Sequence, residues 1–214
     1  MDLFEKIEAS RNEKKAVAMS AYMKNLFPFI GLQAPQRRNI CKPYFKDMSK
    51  QHDVNWDFVW TCYQKREREF QIIAIDYLTV MKKKLKETDI DQLEALITTK
   101  SWWDSVDSLS GIVGELALKY PNLKKRIYEW GFQSDNIWLI RTAIIFQLKF
   151  KDKTDTQFLG EVILRNSQTK EFFINKAIGW ALRQYAKTDK QWVKQFLHDN
   201  ELSTLSVREA SKYL

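Results

Sequence analysis

Apolar residues recur along most of the chain at intervals of three and four, the spacing that places them on one face of an α-helix. Three such stretches lie within the first 51 residues, at 1–8, 13–27 and 35–51. Ten more are predicted after it, at about 55–64, 67–85, 90–98, 102–119, 122–131, 136–150, 155–166, 170–187, 189–198 and 206–213. Only six glycines and four prolines interrupt 214 residues. The pattern therefore predicts an all-α fold.

The predicted helices also repeat at a nearly fixed interval. Comparable helix starts, separated by 33, 35, 35 and 35 residues, contain Phe70, Trp103, Trp138, Phe173 and Arg208. A fixed period of this kind is typical of a helical solenoid, although it is shorter than the usual HEAT repeat of about 40–47 residues. We expect a right-handed superhelix of antiparallel HEAT-like helix pairs. It would form one domain over residues 1–214, with residues 1–51 as an N-terminal helical cap.

The charge balance is basic, with 35 Lys and Arg against 27 Asp and Glu, which gives a net charge of +8. Such a balance suits a polyanionic partner, although a merely soluble basic surface also explains it. Two cysteines are too few for a disulfide framework and no segment resembles a signal peptide, so we expect a reducing, cytoplasmic location. No uncharged run reaches 18 residues, and we expect no membrane span.

The sequence contains few of the common catalytic signatures. His52 and His198 lie far apart with no metal-ligand spacing near either, and we expect both on the surface. No Gly-rich phosphate loop, zinc pattern or Ser-His-Asp arrangement is present. We therefore expect no cofactor and no metal, and any enzymatic activity would depend on carboxylates, aromatic rings and cations.

The most informative stretch is Lys-Ser-Trp-Trp-Asp-Ser-Val-Asp at residues 100–107. Ser101 has the position of an N-cap, with Asp104 three residues later in the place of a capping box. If the helix begins there, Trp103 and Asp107 are four residues apart and share one face. An indole one turn from a carboxylate is a suitable seat for a cation. The alternative is that both tryptophans are core residues while the aspartates cap the helix or face solvent.

The repeat brings further polar and aromatic residues into equivalent places on the second helices of successive pairs. They are Trp103, Asp107, Trp138, Arg141, Lys176 and Trp180. The register predicts that these residues lie near one another, but it does not determine which way they point. Arg141 and Lys176 could face solvent, and the pattern favours Trp138 as a core residue.

Together these segments resemble the AlkD-type family of HEAT-like-repeat DNA glycosylases, which are bacterial DNA alkylation repair enzymes. The similarity extends over nearly the whole chain. Its most specific parts are Ser-Trp-Trp-Asp-Ser-Val-Asp at 101–107 and Asp-Asn-Ile-Trp-Leu at 135–139. The other matching segments are 21–25, 35–38, 66–71, 146–149 and 170–180.

The resemblance implies a monofunctional enzyme that hydrolyses the N-glycosidic bond of cationic N3- and N7-alkylated purines in duplex DNA. In that family the catalytic aspartate corresponds to Asp107. The two tryptophans that embrace the deoxyribose of the lesion correspond to Trp103 and Trp180, and the arginine beside the lesion backbone corresponds to Arg141. The stretch around Tyr22 corresponds to a helix that approaches the minor groove, which makes residues 1–51 a DNA-probing segment.

From these considerations we expect a monomer that binds double-stranded DNA and associates with the nucleoid. The expected DNA contacts are Tyr22, Lys24, Arg37, Arg38, Trp138 and Lys176. The sequence departs from the family at Ala34, where a threonine is expected, and we expect one hydroxyl contact to phosphate to be lost. The chain also stops at Leu214, where relatives continue, which indicates a shortened tail.

The competing interpretation is a non-catalytic HEAT-like module that binds DNA or acts as a protein scaffold, because such repeats often serve only as interaction surfaces. The joint presence of Trp103, Asp107, Arg141 and Trp180 at the family spacing favours the glycosylase.

Overall fold

The computed structural model describes residues 2–214, and over this range it contains thirteen α-helices and no β-strand. The all-α prediction is confirmed. Residues Met1–Leu85 form one compact unit and Lys86–Leu214 form a second. The single domain over residues 1–214, with residues 1–51 as its cap, stays a prediction.

The first unit contains five helices close to their predicted positions. They are α1 (Leu3–Glu8), α2 (Glu13–Tyr22), α3 (Ala34–Met48), α4 (Trp56–Gln64) and α5 (Arg68–Met81). Met1, which belongs to the first predicted helix, lies outside the described residues. The second helix ends at Tyr22 instead of residue 27. Lys24 and Asn25 have φ angles of 58° and 56°, which a right-handed helix does not allow.

The apolar part of the loop between α2 and α3, at residues 29–32, is buried, and one carboxylate binds its backbone. Glu69, at the start of α5, accepts hydrogen bonds from the backbone N–H groups of Ile30, Gly31 and Leu32 at 3.0, 2.9 and 3.0 Å. These four residues are all buried. Three charge-assisted bonds compensate the carboxylate for its loss of water. They also satisfy backbone groups that have no helix or sheet partner.

The second unit contains the remaining eight helices. They are α6 (Ile90–Thr98), α7 (Trp103–Lys119), α8 (Leu123–Phe132), α9 (Ile137–Ile145), α10 (Thr156–Arg165), α11 (Phe172–Tyr185), α12 (Lys190–Asp199) and α13 (Thr204–Ala210). Four of them pack in a row, α7 on α9, α9 on α11 and α11 on α13, while α8 contacts both α9 and α10. The residues expected to form the site lie on α7, α9 and α11 of this row.

Helix α7 is anchored by apolar residues at helical spacing. Val106, Leu109 and Val113 are fully buried, and each such side chain contributes about 1.5–3 kcal/mol relative to an exposed one. Beneath them the Oγ of buried Ser110 donates to the Oγ1 of buried Thr142 at 3.1 Å, which ties α7 to α9. This packing fixes the spacing of the two helices that carry the candidate site.

Two local expectations were wrong. The N-cap of α7 is Trp102 and not Ser101, whose Oγ donates to the carbonyl of Ile97 at 2.6 Å. The predicted helix over 136–150 ends at Ile145. Just beyond this end, the side-chain amide of Gln147 pairs with the backbone of Asp155 and accepts from its N–H at 2.9 Å.

Candidate active site

The centre of the site is an ion pair between Asp107 on α7 and Arg141 on α9. The Nε of Arg141 donates to Oδ1 of Asp107 at 2.7 Å, and Nη2 donates to Oδ2 at 2.9 Å. Both carboxylate oxygens are therefore held in a bidentate fork, the geometry in which arginine binds a carboxylate most specifically. The carboxylate of Asp107 cannot rotate without breaking both bonds.

A third helix contributes to the same guanidinium group. Nη1 of Arg141 donates to the backbone carbonyl of Phe173 at 2.6 Å, in the first turn of α11. Arg141 is 5% exposed. The alternative that Arg141 faces solvent is wrong, because its side chain is buried and bonded to both α7 and α11.

Asp107 opens onto a cleft of about 440 Å³, here called the Asp107 cleft. One wall is the surface of α7, where Gly111 and Glu115 follow Asp107 at intervals of four residues. Trp180 and Gln184 of α11 also line it. The structure therefore brings a carboxylate and an indole onto one concave surface, as expected for Asp107 and Trp180.

Arg141 also lines a second cleft, of about 260 Å³, here called the Trp103 cleft. Its other lining residues are Trp103, Phe172, Phe173 and Lys176. Trp180 thus shares a cleft with Asp107, and Trp103 shares one with Arg141. The two tryptophans each line a cleft that contains one member of the ion pair.

Trp138 belongs to an aromatic cluster. Its ring centroid lies 5.8 Å from that of Trp102 and 5.0 Å from that of Phe173, and Trp102 lies 5.0 Å from Phe173. The side chain is half-buried. Because Phe173 also supplies the carbonyl that holds Arg141, the cluster supports the position of the ion pair.

The ammonium group of Lys176 forms an ion pair with a carboxylate on α13. Glu209 is buried and contacts Lys176, Arg183 and Lys212 at 3.0, 2.9 and 2.8 Å. Hydrogen bonds from Lys212 and Lys176 lower the pKa of Glu209 to about 2. The side chain of Lys176 is about one-third exposed, and it lines the Trp103 cleft while its ammonium group is bound to α13.

The two adjacent arginines of the first unit have opposite environments. Arg37 is buried, and its Nε and Nη2 donate to Oδ2 of Asp76 at 3.3 and 3.1 Å. Arg38 is 70% exposed and lines a surface groove with Lys42 and Lys46. Of the pair, only Arg38 presents its guanidinium group to the surface.

Tyr22 and Lys24, the other candidates in this unit, lie at the end of α2 and just after it. Tyr22 is 71% exposed, and the nearby apolar side chains of Val17 and Leu26 are exposed as well. The side chain of Lys24 is exposed, and its backbone has a positive φ angle. An apolar and basic surface of this kind is able to meet a nucleic-acid groove.

Neither histidine belongs to a metal-binding group, and both are exposed, His52 at 95% and His198 at 83%. Among residues 2–214, no three His, Cys, Asp or Glu side chains are placed to hold a metal ion. Over the same range no helix has the length and apolar character needed to cross a lipid bilayer.

Three features were missed in the sequence. The carbonyl of Phe173 left no signal, because any residue supplies a carbonyl. For Glu209 the sequence contained a signal, because this residue lies 33 positions after Lys176, close to the repeat period. For Gly111 the signal was the residue type, because glycine inside a helix is about 1 kcal/mol less favourable than alanine and requires an explanation.

The comparisons with known proteins concern the chain as a whole. A family model described as DNA alkylation repair enzyme matches residues 3–214. A solved structure described as a predicted DNA alkylation repair enzyme from Enterococcus faecalis is similar over 96% of this chain and 97% of that chain, with 36% identity and a TM-score of 0.90. A comparison with curated proteins gave no match. With the family model covering nearly the whole chain, this protein belongs to the family of DNA alkylation repair enzymes.

Proposed function

We propose that this DNA alkylation repair enzyme is a monofunctional DNA glycosylase that hydrolyses the N-glycosidic bond of cationic N3- and N7-alkylated purines in duplex DNA. The observation that carries the proposal is the Asp107 carboxylate, oriented by Arg141 and exposed to a cleft that Trp180 lines. The family membership supports a repair enzyme, and the ion pair on the cleft supports this chemistry.

The chemistry fits the residues because the leaving base is already positively charged. An N3- or N7-alkylpurine departs without protonation, so the site needs no general acid. Breaking the bond transfers positive charge to the deoxyribose, as in glycoside hydrolysis. A carboxylate about 4 Å from that charge gains roughly 4 kcal/mol at an effective dielectric constant near 20.

Arg141 opposes part of this gain. If the sugar approaches Asp107 from the cleft, the guanidinium group lies on the far side, at roughly 8 Å, and repels the sugar cation by about 2 kcal/mol. The net stabilisation is then about 2 kcal/mol, or between one and two decades of rate. The benefit of Arg141 is orientation: the carboxylate is fixed before the charge develops and does not reorganise during the reaction.

Asp107 has a second role in this proposal. A carboxylate has about four acceptor positions, and the two bonds from Arg141 occupy only two of them. The remaining lone pairs are able to accept a proton from water and to direct that water at the sugar. Trp103 and Trp180 add cation–π stabilisation of about 0.5–2 kcal/mol each.

DNA would be held mainly through its phosphates, without sequence preference. On the second unit the exposed part of Lys176 is one contact. On the first unit we propose Arg38, Lys24 and the surface around Tyr22, and assign buried Arg37 to folding. In this proposal the helix pairs form a right-handed HEAT-like superhelix, and the protein acts as a monomer on nucleoid DNA in the cytoplasm.

The experiment is single-turnover release of N7-methylguanine from duplex DNA, compared with release of uracil and ethenoadenine, at saturating enzyme. We expect release of the cationic base only, because the two neutral bases need protonation. Asp107→Asn should bind DNA with nearly wild-type affinity and release the base at least 10-fold more slowly. DNA binding without release by the wild-type protein would favour the non-catalytic module.

A further inference from the structure

The further inference concerns Gly111, in the middle of α7. The chain has six glycines, and five have an evident structural reason. At Gly31, Gly114, Gly131, Gly160 and Gly179 an added Cβ would lie 2.2 to 3.3 Å from another heavy atom. At Gly111, among residues 2–214, an added Cβ would meet no atom within 4 Å apart from its chain neighbours and the nearby backbone of its own helix. Packing within the described chain therefore does not require a glycine there.

Alanine would suit this helical position better, because glycine gains backbone freedom on unfolding and contributes no side chain. A mid-helix glycine without a packing reason suggests that the space above it serves something outside the chain. Gly111 lies one helical turn after Asp107, on the same face of α7, and lines the Asp107 cleft together with Trp180.

The chemistry of this surface restricts what can occupy the space. Asp107 and Glu115 lie one turn before and one turn after Gly111, and two carboxylates disfavour a phosphate group. The remaining lining is largely apolar, with Leu118, Phe150 and the indole of Trp180, although Lys149 lies on it as well. A neutral group that becomes cationic during the reaction fits these surroundings.

We infer that Gly111 leaves open the space into which the deoxyribose of the lesion nucleotide enters. The inference rests on the proposed function, which requires the sugar to contact both Asp107 and Trp180. Gly111 lines the same cleft as these two residues, so we place a sugar that contacts both of them over Gly111. Gly111 is then a positioning residue, because a side chain at this place keeps the sugar away from the carboxylate.

Three variants of the full-length protein test this role: Gly111→Ala, Gly111→Leu and, as a control, Lys125→Leu on the exposed surface of α8. The readouts are the melting temperature, the single-turnover release of N7-methylguanine, and binding to two duplexes. One duplex is undamaged and the other contains a tetrahydrofuran abasic-site analogue, which presents a sugar without a base.

We expect Gly111→Ala to melt at or above the wild-type temperature, since its Cβ has room, and to release the base about 10-fold more slowly. Gly111→Leu should release it about 100-fold more slowly and lose any wild-type preference for the tetrahydrofuran duplex. Both should bind undamaged DNA like the wild type, and Lys125→Leu should match the wild type throughout. If Gly111→Leu lowers the melting temperature, the release rate of Gly111→Ala is the result that tests the inference.

Wild-type release rates in both variants would overturn the inference. A fall in rate with an unchanged preference for tetrahydrofuran would also overturn it, because the space would then serve the base. No release by the wild-type protein would contradict the proposed function. The binding comparison would still report on Gly111, since recognition of the abasic analogue needs no reaction.

Discussion

Arg141 binds both carboxylate oxygens of Asp107 from the neighbouring helix, with Nε 2.7 Å from Oδ1 and Nη2 2.9 Å from Oδ2. Its third nitrogen is bound to the carbonyl of Phe173. The guanidinium group thus fixes a carboxylate on α7 with support from α11, and its own burial leaves little surface for DNA. In the proposed mechanism Arg141 therefore acts through Asp107 more than through phosphate contacts.

Arg141→Lys distinguishes the effect of the bidentate hydrogen bonds from the effect of the positive charge. Lysine keeps the positive charge but offers a single ammonium point in place of the planar fork. We expect release of N7-methylguanine to slow by about 100-fold, because the carboxylate is no longer held in one orientation. Affinity for undamaged DNA, measured by fluorescence anisotropy, should change by less than about threefold, which is below 1 kcal/mol. Parallel losses of affinity and rate would instead place Arg141 on the phosphates.

Trp103→Ala and Trp180→Ala should each slow base release by about 2- to 30-fold, the rate equivalent of one cation–π contact. The corresponding phenylalanine variants should recover part of the rate. Trp192→Ala is a matched control, because Trp192 stacks on Phe196 with ring centroids 5.0 Å apart on α12, away from both clefts. It should lower the melting temperature and leave the single-turnover rate unchanged. Full activity in both cleft variants would contradict an aromatic seat for the sugar.

The adjacent arginines Arg37 and Arg38 should respond differently to alanine. Arg37→Ala removes two bonds to Asp76 and should lower the free energy of unfolding in urea by about 1.5–3 kcal/mol. Arg38→Ala should leave unfolding unchanged. It should weaken DNA binding and reduce the slope of log K against log salt by about one. An unchanged slope would exclude Arg38 from the DNA contacts.

Glu209 gives a pH dependence of known sign. Its pKa is lowered from 4.5 to about 2 by hydrogen bonds from Lys212 and Lys176. The ionised carboxylate therefore stabilises the folded protein fully above pH 4.5, and this contribution is lost as the pH falls towards 2. Glu209→Gln should melt below the wild type at pH 7. The difference should shrink below pH 4.5 and largely disappear near pH 2, as followed by circular dichroism.

The sequence predicts most of the fold because helical periodicity is a local property: the range 90–98 agrees with α6 to the residue. It also contains the signal that separates Arg37 from Arg38, since Arg37, Cys41 and Phe45 share the buried face of α3 at intervals of four. The pairing of Arg141 with Asp107, in contrast, is not predictable from the local sequence. Whether this residue faces solvent or pairs with Asp107 depends on how α9 packs against α7, and the sequence around Arg141 does not contain that information.

The loop at residues 30–32 has a consequence for how the first unit is able to meet DNA. Three successive N–H groups that converge on one point form an anion nest, the kind of site that often binds phosphate. Here the nest is already filled by the carboxylate of Glu69. The main chain of this loop is therefore closed to a DNA phosphate. In the proposed complex with DNA, phosphate contacts on this unit would then rely on exposed side chains such as Arg38 and Lys42 and not on this loop, which would make the binding sensitive to salt and to single substitutions.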